Sequence, residues 1–160
     1  MARLETTSPE ETESAGASLA RRLRPGDVVL VAGELGSGKT TFVRGACRAL
    51  GVTEPVTSPT FTVGQLYRAA EPAGPDPGAA ALEIAHLDLY RLGTLAGEDP
   101  ALLADYLTGE RVAFVEWPAL AEPELERPGS GVRVVARVRL EHAGPGEGAR
   151  VIEVTDAPLP

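Results

Sequence analysis

Residues 28–50, VVLVAGELGSGKTTFVRGACRAL, decide the fold of this chain. The stretch begins with an apolar run rich in β-branched residues, which is typical of a strand buried on both faces. It passes through a glycine-rich turn and continues with apolar residues at helical spacing, followed by Gly51. The sequence therefore predicts a strand over 28–32, a tight turn and a helix over 39–50.

Within this stretch, Gly33 to Thr40 reads GELGSGKT and fits the pattern G-x-x-x-x-G-K-S/T between a strand and a helix. The glycines allow the backbone to curl so that its amides face inward and bind phosphate oxygens at a helix N-terminus. Lys39 adds a positive charge at the β- and γ-phosphates, and the Thr40 hydroxyl is a ligand of the kind that Mg²⁺ prefers. The motif predicts a site for a nucleoside triphosphate with magnesium.

Two acidic residues end later predicted strands and are candidate catalytic groups. Asp88 closes LEIAHLD, and Glu116 closes VAFVE. The carboxyl ends of parallel strands meet at one edge of a sheet, which is also where the glycine-rich turn lies. Asp88 is similar to a Walker B aspartate, whereas Glu116 could hold magnesium directly or orient the attacking water. The sequence leaves this division of roles open.

The segment TSPTFT lies between the glycine-rich turn and the Asp88 strand, where many nucleotide hydrolases place a segment that senses the γ-phosphate. Its hydroxyls are candidates for contact with the phosphate or the metal, and the alternative is an ordinary proline turn entering a strand. The candidate side chains are those of Thr57, Ser58, Thr60 and Thr62.

Three further residues receive weaker assignments. Trp117, the only tryptophan, is either a core residue or a lid over the nucleotide. His86 is expected to pack on or beside its strand, and Cys47 to pack in the helix after the turn. Guanine-specific proteins of this class commonly carry Asn-Lys-x-Asp, but this chain has no asparagine and Lys39 is its only lysine. The sequence therefore favours ATP over GTP.

Length and composition indicate a globular protein with one domain over 1–160, since 43% of the residues are hydrophobic and 24% are charged. No apolar run approaches the ~20 residues that span a bilayer, and no export signal is apparent, so we expect a cytoplasmic protein without a membrane segment. The formal net charge is -8 and no basic cluster is present, which disfavours direct binding of nucleic acid.

The remaining elements predict an α/β domain with a mixed central sheet flanked by helices. We expect a first helix over 8–23, which begins at the cap Ser8, and a short helix that Asp99-Pro100 opens and Gly109 closes. The expected strands are 63–67, 81–90 and 112–115, followed, after a proline-rich linker, by a C-terminal antiparallel hairpin of 132–140 and 150–154. Residues 69–80 are expected to form a flexible tip.

Four motifs in order, GELGSGKTTFVRG, TSPTFT, HLDLYRL and VEWP, together resemble the TsaE (YjeE) family of bacterial P-loop ATPases. The resemblance extends from Ser8 to about Val154. It implies an ATPase that works with TsaB and TsaD to form threonylcarbamoyladenosine beside the anticodon of tRNA. It also implies that the chain binds the TsaB-TsaD pair, contacts tRNA only through those partners, and does not itself transfer the threonylcarbamoyl group.

The resemblance also implies roles for individual residues. Thr40 and Glu116 would be magnesium ligands, Asp88 the Walker B-like acid, and TSPTFT a switch-like segment, while a partner surface is expected around 99–106. The residues expected to contact the nucleotide are Gly33, Gly36, Ser37, Gly38, Lys39, Thr40, Thr41 and Trp117.

Two other functions stay open. One is a small kinase that phosphorylates a metabolite, although such kinases usually bring arginines from a lid and residues 69–80 contain none. The other is a nucleotide-gated adaptor in which binding matters and hydrolysis is not essential.

Overall fold

The computed structural model describes residues 1–59, 61–72, 80–92, 101–127, 129–144 and 148–157. Seven strands and four α-helices are assigned within them. The strands are β1 (Ala2–Thr6), β2 (Asp27–Gly33), β3 (Gly64–Pro72), β4 (Ala81–Asp88), β5 (Arg111–Glu116), β6 (Arg133–His142) and β7 (Arg150–Asp156). The helices are α1 (Pro9–Ala20), α2 (Lys39–Ala49), α3 (Ala101–Ala104) and α4 (Glu122–Leu125), and Pro118–Leu120 forms a 3-10 turn.

The strands form one mixed sheet in the order β1-β7-β6-β2-β5-β4-β3. Its centre is parallel, because β2 runs parallel to both β5 and β6, and β4 runs parallel to β5. The antiparallel strands lie outside this centre, with β3 on β4, β7 on β6, and β1 on β7. The predicted α/β architecture with a mixed sheet and a C-terminal hairpin is confirmed.

Helices α1 and α2 cover one face of the sheet, and their contact depends on two glycines. Gly16 of α1 lies against the Phe42 carbonyl, and Gly45 of α2 lies against the backbone of Glu13. A Cβ atom at either glycine would collide with that backbone, so the helices approach closely only because both residues lack a side chain. The core beneath them contains the fully buried Phe42.

The start of α1 follows the predicted capping pattern. Ser8 has an extended backbone, its side chain accepts a hydrogen bond from the Glu11 amide at 3.2 Å, and Pro9 occupies the first helical turn. The opposite face of the sheet carries a second core in which Leu125 of α4 packs. Among the described residues, no helix is both long and apolar enough to cross a membrane.

The structure departs from the sequence-based expectations where long-range pairing forms strands. The N-terminal strand β1 was not predicted; it exists because it pairs with β7. Strand β3 continues to Pro72, beyond the predicted end at 67, because it pairs with β4. The expected linker after β5 contains α4, and α3 ends well before Gly109. The predicted opening of that helix at Asp99, and most of the predicted tip, lie outside the described residues.

Candidate nucleotide site

The loop between β2 and α2 is shaped by glycines at its two ends. Gly33 has φ 149°, and a Cβ atom there would collide with the Leu140 carbonyl and lie 2.6 Å from Ser37 Oγ. Gly38, the N-cap residue of α2, has φ 97° in the left-handed region. Because both conformations are accessible mainly to glycine, the sequence dictates a tight curl that leads directly into the N-terminus of a helix.

Lys39 is folded into this curl. Its Nζ donates to the carbonyl oxygens of Gly33 at 3.0 Å and Glu34 at 2.8 Å. The residue is only 5% exposed, and burial lowers the pKa of its ammonium, while the nearby carboxylates of Glu116 and Asp88 act in the opposite direction. A buried cation held this way supplies positive charge at the mouth of the loop.

Glu116, at the end of β5, contacts both α2 and β4. Its Oε1 accepts a hydrogen bond from Thr40 Oγ1 at 3.0 Å and lies 2.8 Å from His86 Nε2. Glu116 is 2% exposed and His86 is fully buried. A carboxylate can only accept, so the His86 Nε2 carries the hydrogen. Glu116 is therefore fixed beside the first turn of α2.

Asp88, at the end of β4, lies in a more open environment. Its Oδ2 accepts a hydrogen bond from Ser58 Oγ at 2.6 Å, and its Oδ1 accepts one from the Tyr90 amide at 3.0 Å. Asp88 is partly exposed. The end of β4 is thus hydrogen-bonded to the segment that precedes β3.

Trp117 follows Glu116 and stands over the lysine. Its backbone adopts a left-handed conformation with φ 55°, and its ring centroid lies 4.1 Å from Lys39 Nζ and 4.7 Å from the Tyr90 ring centroid. A cation at this distance from an indole face is attracted by its electron density. Trp117 is half-buried and lines the cleft. This position favours the role of a lid over a ligand rather than that of a core residue.

These groups surround one cleft of about 320 Å³, which brings together most of the predicted site residues. It is lined by Leu35, Gly36, Gly38, Lys39, Thr40, Thr41, Ser58, Asp88, Glu116 and Trp117. Gly33 does not line the cleft, but its carbonyl accepts a hydrogen bond from Lys39. Ser37 belongs to the same loop and is fully buried. A second cavity of about 340 Å³ adjoins this cleft.

The oxygens present fit a magnesium ion. Thr40 Oγ1 and Glu116 Oε1 are 3.0 Å apart. Adjacent ligands of an octahedral Mg²⁺ with bonds of 2.0–2.1 Å lie about 2.9 Å apart. A hydroxyl and a carboxylate beside a glycine-rich loop are also the donor types that Mg²⁺ takes with a nucleotide. No cluster of three or more His, Cys, Asp or Glu that could bind a metal by itself occurs in the described part of the chain.

The switch-like segment contributes unevenly. Ser58 lines the cleft and donates a hydrogen bond to Asp88. Thr62 lines the adjoining cavity, and its hydroxyl donates to the Gly64 carbonyl at 2.9 Å. Thr57 lines neither cavity, and its backbone is held by the hydroxyl of the buried Tyr67. Thr60 lies outside the described residues.

The sequence did not predict the contact between His86 and Glu116. His86 does lie in β4, as expected, but its ring touches the carboxylate of Glu116. A signal was present, because residues two apart on a strand share a face and His86 precedes Asp88 by two. Cys47 packs in the core as expected, and burial raises the pKa of its thiol to about 12.

Comparison of the whole chain with known proteins identifies its family. Residues 6–147 match the model of a family described as threonylcarbamoyl adenosine biosynthesis protein TsaE. This chain belongs to the TsaE family. Membership ties it to the biosynthesis of threonylcarbamoyladenosine in tRNA, and the resemblance read from its four motifs is confirmed.

Individual TsaE proteins show how far the similarity extends. The tRNA threonylcarbamoyladenosine biosynthesis protein TsaE of Bacillus subtilis is 38% identical over 120 residues, 75% of this chain and 68% of that protein. The protein of the same name from Synechocystis is 39% identical over 67% of this chain and 64% of its own length. The chain thus spans roughly two thirds of these relatives. The crystal structure of Bacillus subtilis YdiB superposes with a TM-score of 0.68 at 29% identity, covering 98% of this chain and 86% of that one.

Proposed function

We propose that this chain is the ATP-binding and ATP-hydrolysing component of threonylcarbamoyladenosine formation, acting with the TsaB-TsaD pair. One observation carries the proposal: the Thr40 hydroxyl and the Glu116 carboxylate meet at 3.0 Å beside a glycine-rich loop that holds a buried lysine. A hydroxyl, a carboxylate and an ammonium at a helix N-terminus are the groups that bind a magnesium-bound triphosphate.

Each group has a separate part in this proposal. The amides of the loop and the Lys39 ammonium bind the phosphates, while Thr40 and Glu116 hold magnesium. When bound, the metal would neutralise charge that develops on the transferred phosphoryl group. Trp117 covers Lys39 and limits the access of water from that side. Hydrolysis adds a water oxygen to the γ-phosphorus as the bond to the β–γ bridging oxygen breaks.

Asp88 is assigned to the hydrolytic step rather than to binding of the metal. Its partial exposure allows water to reach it, and its bond to Ser58 links it to the segment before β3. A carboxylate in that position accepts hydrogen bonds from water near the γ-phosphate. The segment and the acid would then respond together to the presence of that phosphate.

The acidic net charge of the chain favours contact with tRNA through partner proteins. The proposed place of action is the cytoplasm, where tRNA is modified. Most protein–tRNA affinity comes from cations that neutralise phosphates. This chain has a formal net charge of -8, with 15 basic residues against 23 acidic ones. The proposal therefore places the tRNA-binding surface on the partner proteins.

Phosphate release tests the proposed activity. It is measured for the purified chain alone and with a TsaB-TsaD pair, in the presence of Mg²⁺, with Lys39→Ala as the inactive control. Strong stimulation by the partners, absent in Lys39→Ala, is the expected result. Transfer of the γ-phosphate to a metabolite would point to a kinase instead. Support of tRNA modification without any phosphate release would point to a nucleotide-gated adaptor.

A further inference from the structure

Arg150 connects the C-terminal hairpin to the glycine-rich loop. Its Nε donates to the Ser37 carbonyl at 3.1 Å, and its Nη2 donates to the Gly36 carbonyl at 3.1 Å. Arg150 is the first residue of β7, which lies two positions from β2 in the sheet. One guanidinium therefore holds two consecutive carbonyls of a loop that belongs to a distant part of the chain.

These two carbonyls set the direction of the amides that follow them. In a planar trans peptide, the C=O of one residue and the N–H of the next point in opposite directions. The Ser37 amide accordingly turns back and donates to the Glu34 carbonyl at 3.1 Å, and the Gly38 amide points away from Arg150. Gly36 and Gly38 line the cleft and Arg150 does not, which is the arrangement expected if the amide that points away from Arg150 faces the cleft.

Within residues 36–38, no side chain supplies a hydrogen bond that would hold this conformation. Gly36 and Gly38 have φ of 73° and 97°, and glycine moves between backbone regions more freely than any other residue. Between them, the Ser37 hydroxyl is buried but has no hydrogen-bond partner among the described residues. The guanidinium of Arg150 therefore supplies an external anchor for a stretch whose own side chains supply none.

We propose that Arg150 is a positioning residue that orients the Gly38 amide toward the phosphates of the nucleotide. The proposal rests on the proposed function, since it concerns how the same loop binds ATP. It goes beyond the family comparison because Arg150 lies outside the matched segment 6–147. Its side chain would act through the backbone and would not touch the nucleotide.

The test compares Arg150→Met with the wild-type chain. Methionine keeps much of the side-chain length and removes all the donors. We expect the dissociation constant for magnesium-ATP to rise about 10-fold, because the charge-assisted hydrogen bonds that hold the Gly36 and Ser37 carbonyls are lost. In the nucleotide-free protein, the ¹⁵N order parameters of the Ser37 and Gly38 amides should fall from about 0.85 toward 0.6 or below.

Three variants separate this role from charge and from general stability. Ile152→Val trims the core of the same strand, and Arg139→Met removes an exposed arginine whose Nε bonds Glu141 at 2.6 Å. Both should leave the affinity and the order parameters unchanged. Arg150→Lys keeps the charge but loses the planar fork that reaches two carbonyls, so its affinity should stay closer to Arg150→Met than to wild type.

Wild-type order parameters in Arg150→Met would overturn the proposal, and so would wild-type ATP affinity in Arg150→Lys. An equal loss of affinity in Ile152→Val would also contradict it, because the effect would then come from the hairpin as a whole. The order parameters are measured without nucleotide. They decide the role of Arg150 even if the wild-type chain does not bind ATP, a result that would refute the proposed function instead.

Discussion

Asp88 and Glu116 occupy matching positions on neighbouring strands but have different surroundings. They are paired in register at the ends of β4 and β5. Glu116 is 2% exposed, and its Oε1 lies 3.0 Å from Thr40 Oγ1 and 2.8 Å from His86 Nε2. Asp88 is partly exposed and accepts a hydrogen bond from Ser58 at 2.6 Å.

The difference shows that position in the sheet does not by itself assign a role to an acid. Glu116 accepts a hydrogen bond from Thr40 in the first turn of α2, whereas Asp88 accepts one from Ser58 in a loop. A buried carboxylate fixed beside a hydroxyl suits a metal ligand, and an accessible one suits contact with water. We therefore expect Glu116 to control binding of magnesium-ATP and Asp88 to control its hydrolysis.

Glu116→Ala should have the largest effect. We expect a loss of about 100-fold in the magnesium-dependent affinity for ATP, since the proposed charged ligand of the metal is removed. Isothermal titration with ATP, in Mg²⁺ and in EDTA, measures that part of the affinity. Thr40→Ala should weaken the same quantity. Normal binding of magnesium-ATP by Glu116→Ala, together with no hydrolysis, would reassign Glu116 to orienting water.

Asp88→Asn should separate hydrolysis from binding. The change keeps the shape of the side chain and removes its charge, so we expect phosphate release to slow by about 10- to 100-fold. Because Asp88 is partly exposed, the ATP affinity should change by less than about 5-fold. Stopped-flow phosphate detection and titration on the same sample measure both. A loss of affinity as large as that of Glu116→Ala would remove the distinction between the two acids.

His86→Leu tests whether the fixed position of Glu116 matters. Leucine removes the hydrogen bond at 2.8 Å from a buried site, so the magnesium-dependent affinity should fall by about 10-fold. His86→Gln retains a donor near the position of Nε2 and should recover part of that loss. Equal affinities for the leucine and glutamine variants would show that His86 only fills space.

Ser58→Ala should have the smallest effect. It removes one hydrogen bond to the accessible acid, so phosphate release should slow by about 2- to 5-fold without a change in affinity. Ser18→Ala, on the exposed face of α1, is the matched control. A change in the magnesium dependence of binding, rather than in the rate, would place Ser58 with Glu116.

The sequence predicted the parts of the molecule that local chemistry determines. The glycine-rich turn is specified by neighbouring residues, because Gly33 and Gly38 adopt conformations that other residues avoid. The parallel centre of the sheet followed from apolar runs separated by a helix. Asp88 and Glu116 were found because acids at the ends of such strands meet at one edge.

The rest depends on contacts between residues far apart in the chain. Strand β1 forms only by pairing with β7, and its sequence alone carries no strong signal. The contact of His86 with Glu116 requires the register of β4 on β5. Arg150 reaches the loop because the hairpin brings the start of β7 next to it. Sequence spacing does not specify these distances.

A multiple-turnover tRNA modification assay tests the proposed function most directly. The chain is added to TsaB-TsaD, ATP, the threonylcarbamoyl donor and tRNA, and wild type is compared with Asp88→Asn, with a pull-down to measure docking. We predict that Asp88→Asn docks on the partners but supports little more than one round of modification, since in the proposed function docking needs nucleotide and turnover needs its cleavage. Full modification by an Asp88→Asn protein that no longer hydrolyses ATP would contradict the proposal that ATP cleavage is the contribution of this chain.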